Sequence, residues 1–241
     1  LSQEPDFESE IRARLADNPS NKTREEIVQD VALPTTITSN YKTQFILGTP
    51  PNYEPKEEDS IAAIAARKNI SELEVMYDEM LQNQGSNLIY AAFTPYEKYK
   101  LEFVEQAYRL KSSVAGGSDG GAHCGLICDA SMPTTNISHW GRDREAGRKF
   151  PLEMLIKKQT KDTAETFGLF DRGEIKPGML ADINIIDFDK LNVSHPTMIY
   201  DLPLGGRRLV QDATGYIATI KNGQVVSENG KANGVLPGKL I

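Results

Sequence analysis

A mixed α/β fold is predicted by three features of the chain. Residues 87–118 read as strand, helix and strand in succession; a strongly marked amphipathic helix precedes them; from residue 172 the apolar pattern falls to a period of two. With 241 residues there is enough chain for one large or two small domains, each with its own core. The expected division is a first region at 1–171 and a small antiparallel β module at 172–241.

Taken in order, residues 1–32 read as two short helices. Phe7, Ile11 and Leu15 share one face, Asn18-Pro19 interrupts, and Thr23 to Glu26 restarts a helix with capping-box spacing. Pro34 to Ser39 reads as a strand entering a loop. The loop is centred on Thr49-Pro50-Pro51-Asn52-Tyr53-Glu54-Pro55, where the prolines exclude helix and central strand alike. A short alanine-rich helix is expected over 60–68. The next helix opens with Ser71 and Glu74 at capping-box spacing and Ile70 and Val75 at staple positions. Leu73, Met76, Tyr77, Met80 and Leu81 should form its buried stripe, and Gly85 should end it.

A strand at 87–93, a helix around Leu101, Val104, Ala107 and Tyr108, and a second strand at 112–115 then make one β-α-β crossover, which implies parallel strands. Residues 124–150 look irregular, with mixed charges around His139-Trp140 that suit either a substrate-facing loop or a solvated face on a buried Trp. Pro151 opens a helix with an apolar face of Leu152, Leu155, Ile156, Ala164 and Phe167, closed by Gly168. Strands are expected at 181–188, 215–221 and 224–227, the last two joined by Asn222-Gly223, a strong hairpin signal.

Composition narrows the function classes. A formal charge of -7 lacks the electrostatic footprint of a nucleic-acid binder. No apolar run approaches the length that spans a bilayer, so no membrane partner is expected and a cytoplasmic chain is. Cys124 and Cys128 cannot make a disulfide framework and lack the further pair of ligands that a structural zinc site needs.

The densest chemical signal is Gly117-Ser118-Asp119-Gly120-Gly121-Ala122-His123. Asp119 is flanked by residues too small to hide it, and the glycines let a ligand approach the backbone. In a parallel arrangement this carboxylate falls just past the carboxyl end of a strand, where α/β proteins carry their chemistry.

Ser118-Asp119-Gly120-Gly121-Ala122-His123, Asp129 to Thr134, His139-Trp140 and Arg142-Asp143-Arg144 together resemble the metal-dependent amidohydrolase superfamily. The nearest branch is similar to D-aminoacylases, that is, N-acyl-D-amino-acid deacylases. Gly168-Leu169 with Asp171-Arg172-Gly173, Lys176-Pro177-Gly178 with Ala181-Asp182, Asp201-Leu202-Pro203 and Asn222-Gly223 continue the likeness, as does the loop Pro51 to Pro55. The resemblance implies the C-terminal part of a (β/α)8 barrel plus part of a small β-sandwich. It implies a zinc cofactor and makes Asp119 the general acid/base and a metal ligand. Metal-bound water ionises near neutral pH, and a carboxylate in reach can take its proton and return it to the leaving nitrogen. Gly120, Gly121, His123 and Arg142 are the candidate substrate-binding residues, the substrate being a small N-acylated amino acid.

The pattern departs from that family upstream. The first histidine of the chain is His123, so no His-x-His metal motif precedes Asp119. The zinc ligands are therefore expected mostly outside this chain, in an N-terminal part of a longer enzyme, and the chain alone is expected to be inactive. Self-association through uncovered strand edges is a further expectation. Two other readings compete: a hydantoinase-like cyclic-amide hydrolase, and a non-catalytic structural fragment or subunit.

Overall fold

The computed structural model describes residues 39–92, 96, 98–118, 125–126 and 129–240. The chain divides into two compact units, one of residues 1–47 and 55–94, the other of residues 48–54 and 95–241. The boundary expected at 171/172 falls inside the second unit. The helices expected over 1–32 and the strand entering at 34 lie outside the described residues.

In the first unit, β1 (Gln44–Ile46) is followed by helices α1 (Ile61–Lys68) and α2 (Glu72–Gly85) and then β2 (Ile89–Ala91). Ser60 caps α1 by accepting from the Ala63 amide at 3.1 Å. The capping box of α2 forms as its spacing predicts: the Glu74 amide donates to Ser71 Oγ, and the Ser71 amide donates to Glu74 Oε2. Ile61, Ala65 and Val75 form the buried centre, with Ile46, Ile64, Ile70, Met76 and Ile89 against it. The stripe on α2 is different from the expectation. Leu73, Tyr77, Met80 and Leu81 are exposed, and Gln82, Asn83 and Gln84 leave helical geometry before Gly85. Only the first turns of α2 meet a partner surface among the described residues.

β2 pairs antiparallel with β1, in the register Gln44↔Ala91, Phe45↔Tyr90, Ile46↔Ile89. Residues 111–112 form a turn and 113–118 join no strand, so the β-α-β crossover expected from the sequence is not formed among the described residues. The apolar run of a three-residue antiparallel strand looks the same in sequence as that of a parallel one.

In the second unit, α3 (Glu102–Arg109) is followed by α4 (Met132–Ser138), which continues into a π turn, His139–Asp143. α5 (Leu152–Gln159) and α6 (Lys161–Thr166) come next. Their apolar pattern is that of one continuous helix, but Thr160 breaks it at φ -119°, ψ -85°, and Phe167 at its end is exposed.

Beyond residue 172 the chain is antiparallel throughout, as the period of two predicts. β3 (Ile183–Ile186), β4 (Asn192–Val193), β5 (Thr197–Leu202), β6 (Gly206–Val210), β7 (Ala213–Thr214), β8 (Tyr216–Lys221), β9 (Gln224–Glu228) and β10 (Lys231–Ala232) form a four-stranded sheet in the order β10-β9-β8-β3 and two two-stranded pairs, β4-β7 and β5-β6. The β8-β9 turn has Asn222 at φ 51° and Gly223 at φ 77°, the double left-handed geometry that Asn-Gly favours. No described helix is long and apolar enough to cross a membrane.

Candidate functional site

The most highly built polar centre in the described residues lies in the second unit, around Arg144. α4 is short and mostly buried through Thr134, Asn136, Ile137 and Ser138. Its continuation as a π turn, closed by the Arg144 amide donating to His139 O at 2.8 Å, rotates the next side chains relative to an α-helix. Trp140 thereby turns inward to 5% exposure and stacks at tilted angles with Tyr108 and Phe150, 5.3 and 5.8 Å between ring centroids. Leu155 from α5 and Leu101, Val104 and Tyr108 from around α3 complete the packing.

The Arg144 guanidinium lies over the Trp140 ring, 4.3 Å from its centroid. With its side chain only 2% exposed, it needs nearly all its donors satisfied, and they are. Nε and Nη2 form a fork on Glu54 at 2.9 Å each, while Nη1 donates to Glu105 Oε2 and to the Arg148 carbonyl at 3.0 Å. Gly147 is required here. A Cβ at that position would sit 2.6 Å from three guanidinium atoms. Glu54 accepts a third bond, from His139 Nε2 at 3.0 Å. Burial opposes ionisation of Glu54, but the hydrogen bonds and charges of His139 and Arg144 outweigh it and hold its pKa at about 2. The carboxylate is therefore ionised at neutral pH and only accepts, which places the His139 proton on Nε2. Glu105 is lowered too, through its bond from Arg144. Burial alone pushes the Tyr108 phenol up to about 12, and its hydroxyl donates to Asn136 Oδ1.

The same loop is held one residue earlier. Tyr53 OH accepts from Gln211 Nε2 at 2.8 Å, and Gln211 also donates to Ser194 O and accepts from Ser131 Oγ. The Pro-rich stretch is thus anchored to the π turn and to the β module by two consecutive side chains.

Of the residues singled out from sequence, Asp119, Gly120, Gly121 and His123 lie outside the described residues. Arg142 is described, and its donors go elsewhere: two to Asp143 at 2.6 and 2.8 Å, others to the Phe188 and Leu191 carbonyls, with Phe188 under the guanidinium. These contacts join the π turn to the end of β3 and the chain before β4. The partners of Arg144, Glu54 and Glu105, lie 90 and 39 residues away in sequence. Trp140 is the buried anchor of the two alternatives, and His195 makes a local contact with the Pro196 carbonyl.

The described donors do not fit a metal. No group of three or more His, Cys, Asp or Glu among the described residues is arranged to hold an ion. Both Glu54 oxygens and His139 Nε2 are committed to one another and to Arg144.

A family model described as the amidohydrolase family matches residues 55–227, more than two thirds of the chain. The chain belongs to the amidohydrolase family. The match takes in the Ser118-Asp119 motif, Arg144 with its π turn, and the β8-β9 hairpin. Among solved structures, the chain is similar to a D-aminoacylase described as defining a novel subset of amidohydrolases, with 24% identity and a TM-score of 0.42. It is also similar to a D-aminoacylase mutant in complex with CuCl2 and to a D-aminoacylase studied for its binuclear metal centre, each with 22% identity and a TM-score of 0.41. Each likeness covers 80% of this chain and 36% of the other, so the chain spans about a third of the D-aminoacylase chains it matches. No curated protein matches it.

Proposed function

We propose that this chain is the C-terminal portion of a metal-dependent amidohydrolase that cleaves the amide of an N-acyl-D-amino acid. Membership of the amidohydrolase family across residues 55–227 carries the reading, because that span includes the glycine-flanked Ser118-Asp119 motif. In the reaction, water adds to the acyl carbon, the C–N bond breaks, and the products are a carboxylic acid and a free amine. Asp119 is the acid/base that removes the water's proton and delivers one to the departing nitrogen. Gly120 and Gly121 leave room for the amide, and His123 faces the substrate.

The cofactor in this reading is a metal, zinc by resemblance, held with Asp119 by ligands that this chain does not supply. The commitment of His139 to Glu54 and of His195 to a carbonyl supports that placement. The chain alone is then inactive, and it works only with the remainder of the enzyme. The test is turnover of a panel of N-acyl-D-amino acids and cyclic ureides with added Zn²⁺, by this chain and by the longer protein containing it. The longer protein should hydrolyse the acyl amino acids, and Asp119→Asn should lower kcat about 100-fold or more. Turnover by the isolated chain, or an active Asp119→Asn enzyme, contradicts the reading.

A further inference from the structure

Three Asn-Gly pairs occur in the sequence, Asn222-Gly223, Asn229-Gly230 and Asn233-Gly234, and all three follow β8. Asn-Gly is the dipeptide in which asparagine most readily loses its side-chain amide, because glycine has no Cβ to keep its backbone nitrogen away from the asparagine Cγ. The deprotonated glycine nitrogen adds to Cγ, and the new N–Cγ bond closes a succinimide. The Cγ–Nδ2 bond breaks and ammonia leaves, taking up the proton that the glycine nitrogen gave up. Water then opens the ring at either carbonyl, leaving aspartate or isoaspartate. The balance is one water gained and one ammonia lost, with no oxidant or reductant. The dipeptide is the same at all three places, so only the fold can tell them apart.

It does so at the reacting atoms. Asn233 is held at both ends of its side-chain amide: Nδ2 donates to the Val225 carbonyl at 2.8 Å, and Oδ1 accepts from the Val235 amide at 3.0 Å. Its Cγ cannot turn toward Gly234 without breaking both bonds. At Asn222 the nucleophile is held instead. The Gly223 amide donates to the Ala181 carbonyl at 3.0 Å, and the Asn222 amide donates to Asp182 Oδ1 at 2.9 Å. That turn also closes the β8-β9 ladder, which runs from Ala218↔Glu228 to Lys221↔Gln224. Asn229 is exposed, and among the described residues neither its side chain nor the Gly230 amide makes a hydrogen bond. The Asn229 amide donates to the Ile217 carbonyl at 2.9 Å, which fixes its backbone and leaves both reacting groups loose. Its turn, with φ 48° at Asn229 and 76° at Gly230, joins β9 to β10 through two pairs alone, Lys231↔Glu228 and Ala232↔Ser227. So short a ladder opens more cheaply than that of β8 and β9.

We propose that Asn229 is a modification site, deamidating spontaneously in the folded protein, while the fold protects Asn222 and Asn233. The aspartyl product places a new carboxylate beside Glu228. The isoaspartyl product also lengthens the backbone by one methylene within the β9-β10 turn. Its free α-carboxylate is the group that an isoaspartyl carboxyl methyltransferase recognises. None of this depends on the proposed hydrolysis.

The test is incubation of the intact chain at mildly alkaline pH, in native buffer and in concentrated urea, with peptide mapping by mass spectrometry at intervals. Isoaspartate is identified by methyl transfer from S-adenosylmethionine with an isoaspartyl carboxyl methyltransferase. In native buffer Asn229 should convert at least about fivefold faster than either Asn222 or Asn233. In urea, where each is simply Asn before Gly, the three rates should agree to within about twofold. A smaller native preference for Asn229, or native conversion led by Asn222 or Asn233, overturns the proposal. So does a preference for Asn229 that persists undiminished in urea, because it would then belong to the neighbouring sequence and not to the fold.

Discussion

The Arg144 centre and the four-stranded sheet belong to the same unit, yet they are built on opposite plans. Around Arg144, a few long-range contacts bury Trp140, Phe150, Leu155, Glu54 and the guanidinium itself. In β3, β8, β9 and β10 no residue is fully buried, and Ile185, Ile217 and Val225 stay substantially exposed. The sheet is regular and local: short strands, one tight turn, ladder hydrogen bonds. The centre is irregular and non-local, with a π turn where a helix would have aimed the same residues elsewhere. Local order and burial are therefore separate achievements in this molecule, and stability should concentrate in the less regular of the two regions.

Perturbations that strike one region and spare the other test that contrast. The largest effect is expected from Arg144→Met, which leaves Glu54 and Glu105 without their shared cation. Stability should fall by about 3–5 kcal/mol in urea unfolding, with the fluorescence of the single Trp, Trp140, changing in the same transition.

Acid should act on the same centre through Glu54. Its folded pKa of about 2 lies below the usual 4.5, so the stabilisation is full above about pH 4.5 and is lost as pH falls through 2. The loss amounts to about 3 kcal/mol. Trp140 fluorescence followed between pH 6 and 2 should show the centre opening, and Glu54→Gln should remove most of that dependence.

The smallest effect is expected in the sheet. Ile185→Thr, at an exposed strand position, should change stability by no more than about 0.5 kcal/mol in the same urea experiment. A larger loss would mean that this face carries more of the fold than its exposure indicates.

The same division explains how much of the structure is legible in the sequence. The Ser71-Glu74 capping box, the Asn222-Gly223 hairpin and the alternation of the C-terminal strands are encoded within a few residues, and each forms as expected. The stripe of α2 is legible as amphipathic, but whether anything covers it depends on surfaces far away in the chain. The partners of Arg144 are illegible for the same reason. Asp143 and Glu145 are its neighbours in sequence, whereas Glu54 arrives from a Pro-rich loop 90 residues earlier. The π turn that selects among them has no composition of its own. Arg142, by contrast, finds its adjacent Asp143 as proximity suggests, together with carbonyls that no sequence pattern announces. The amidohydrolase kinship is readable because its motifs are contiguous, while the roles of Asp119, Gly120, Gly121 and His123 fall outside the described residues and are carried by proposal.

The claim on which the Arg144 centre rests is that Glu54 and Arg144 act as one unit holding the Tyr53-Glu54 loop to the π turn. A double-mutant cycle of Glu54→Gln and Arg144→Met, read by urea unfolding, tests it most directly. The account predicts a coupling of about 2 kcal/mol or more between the two sites. Effects that add to within about 0.5 kcal/mol would show the two side chains to be independent, and would contradict it.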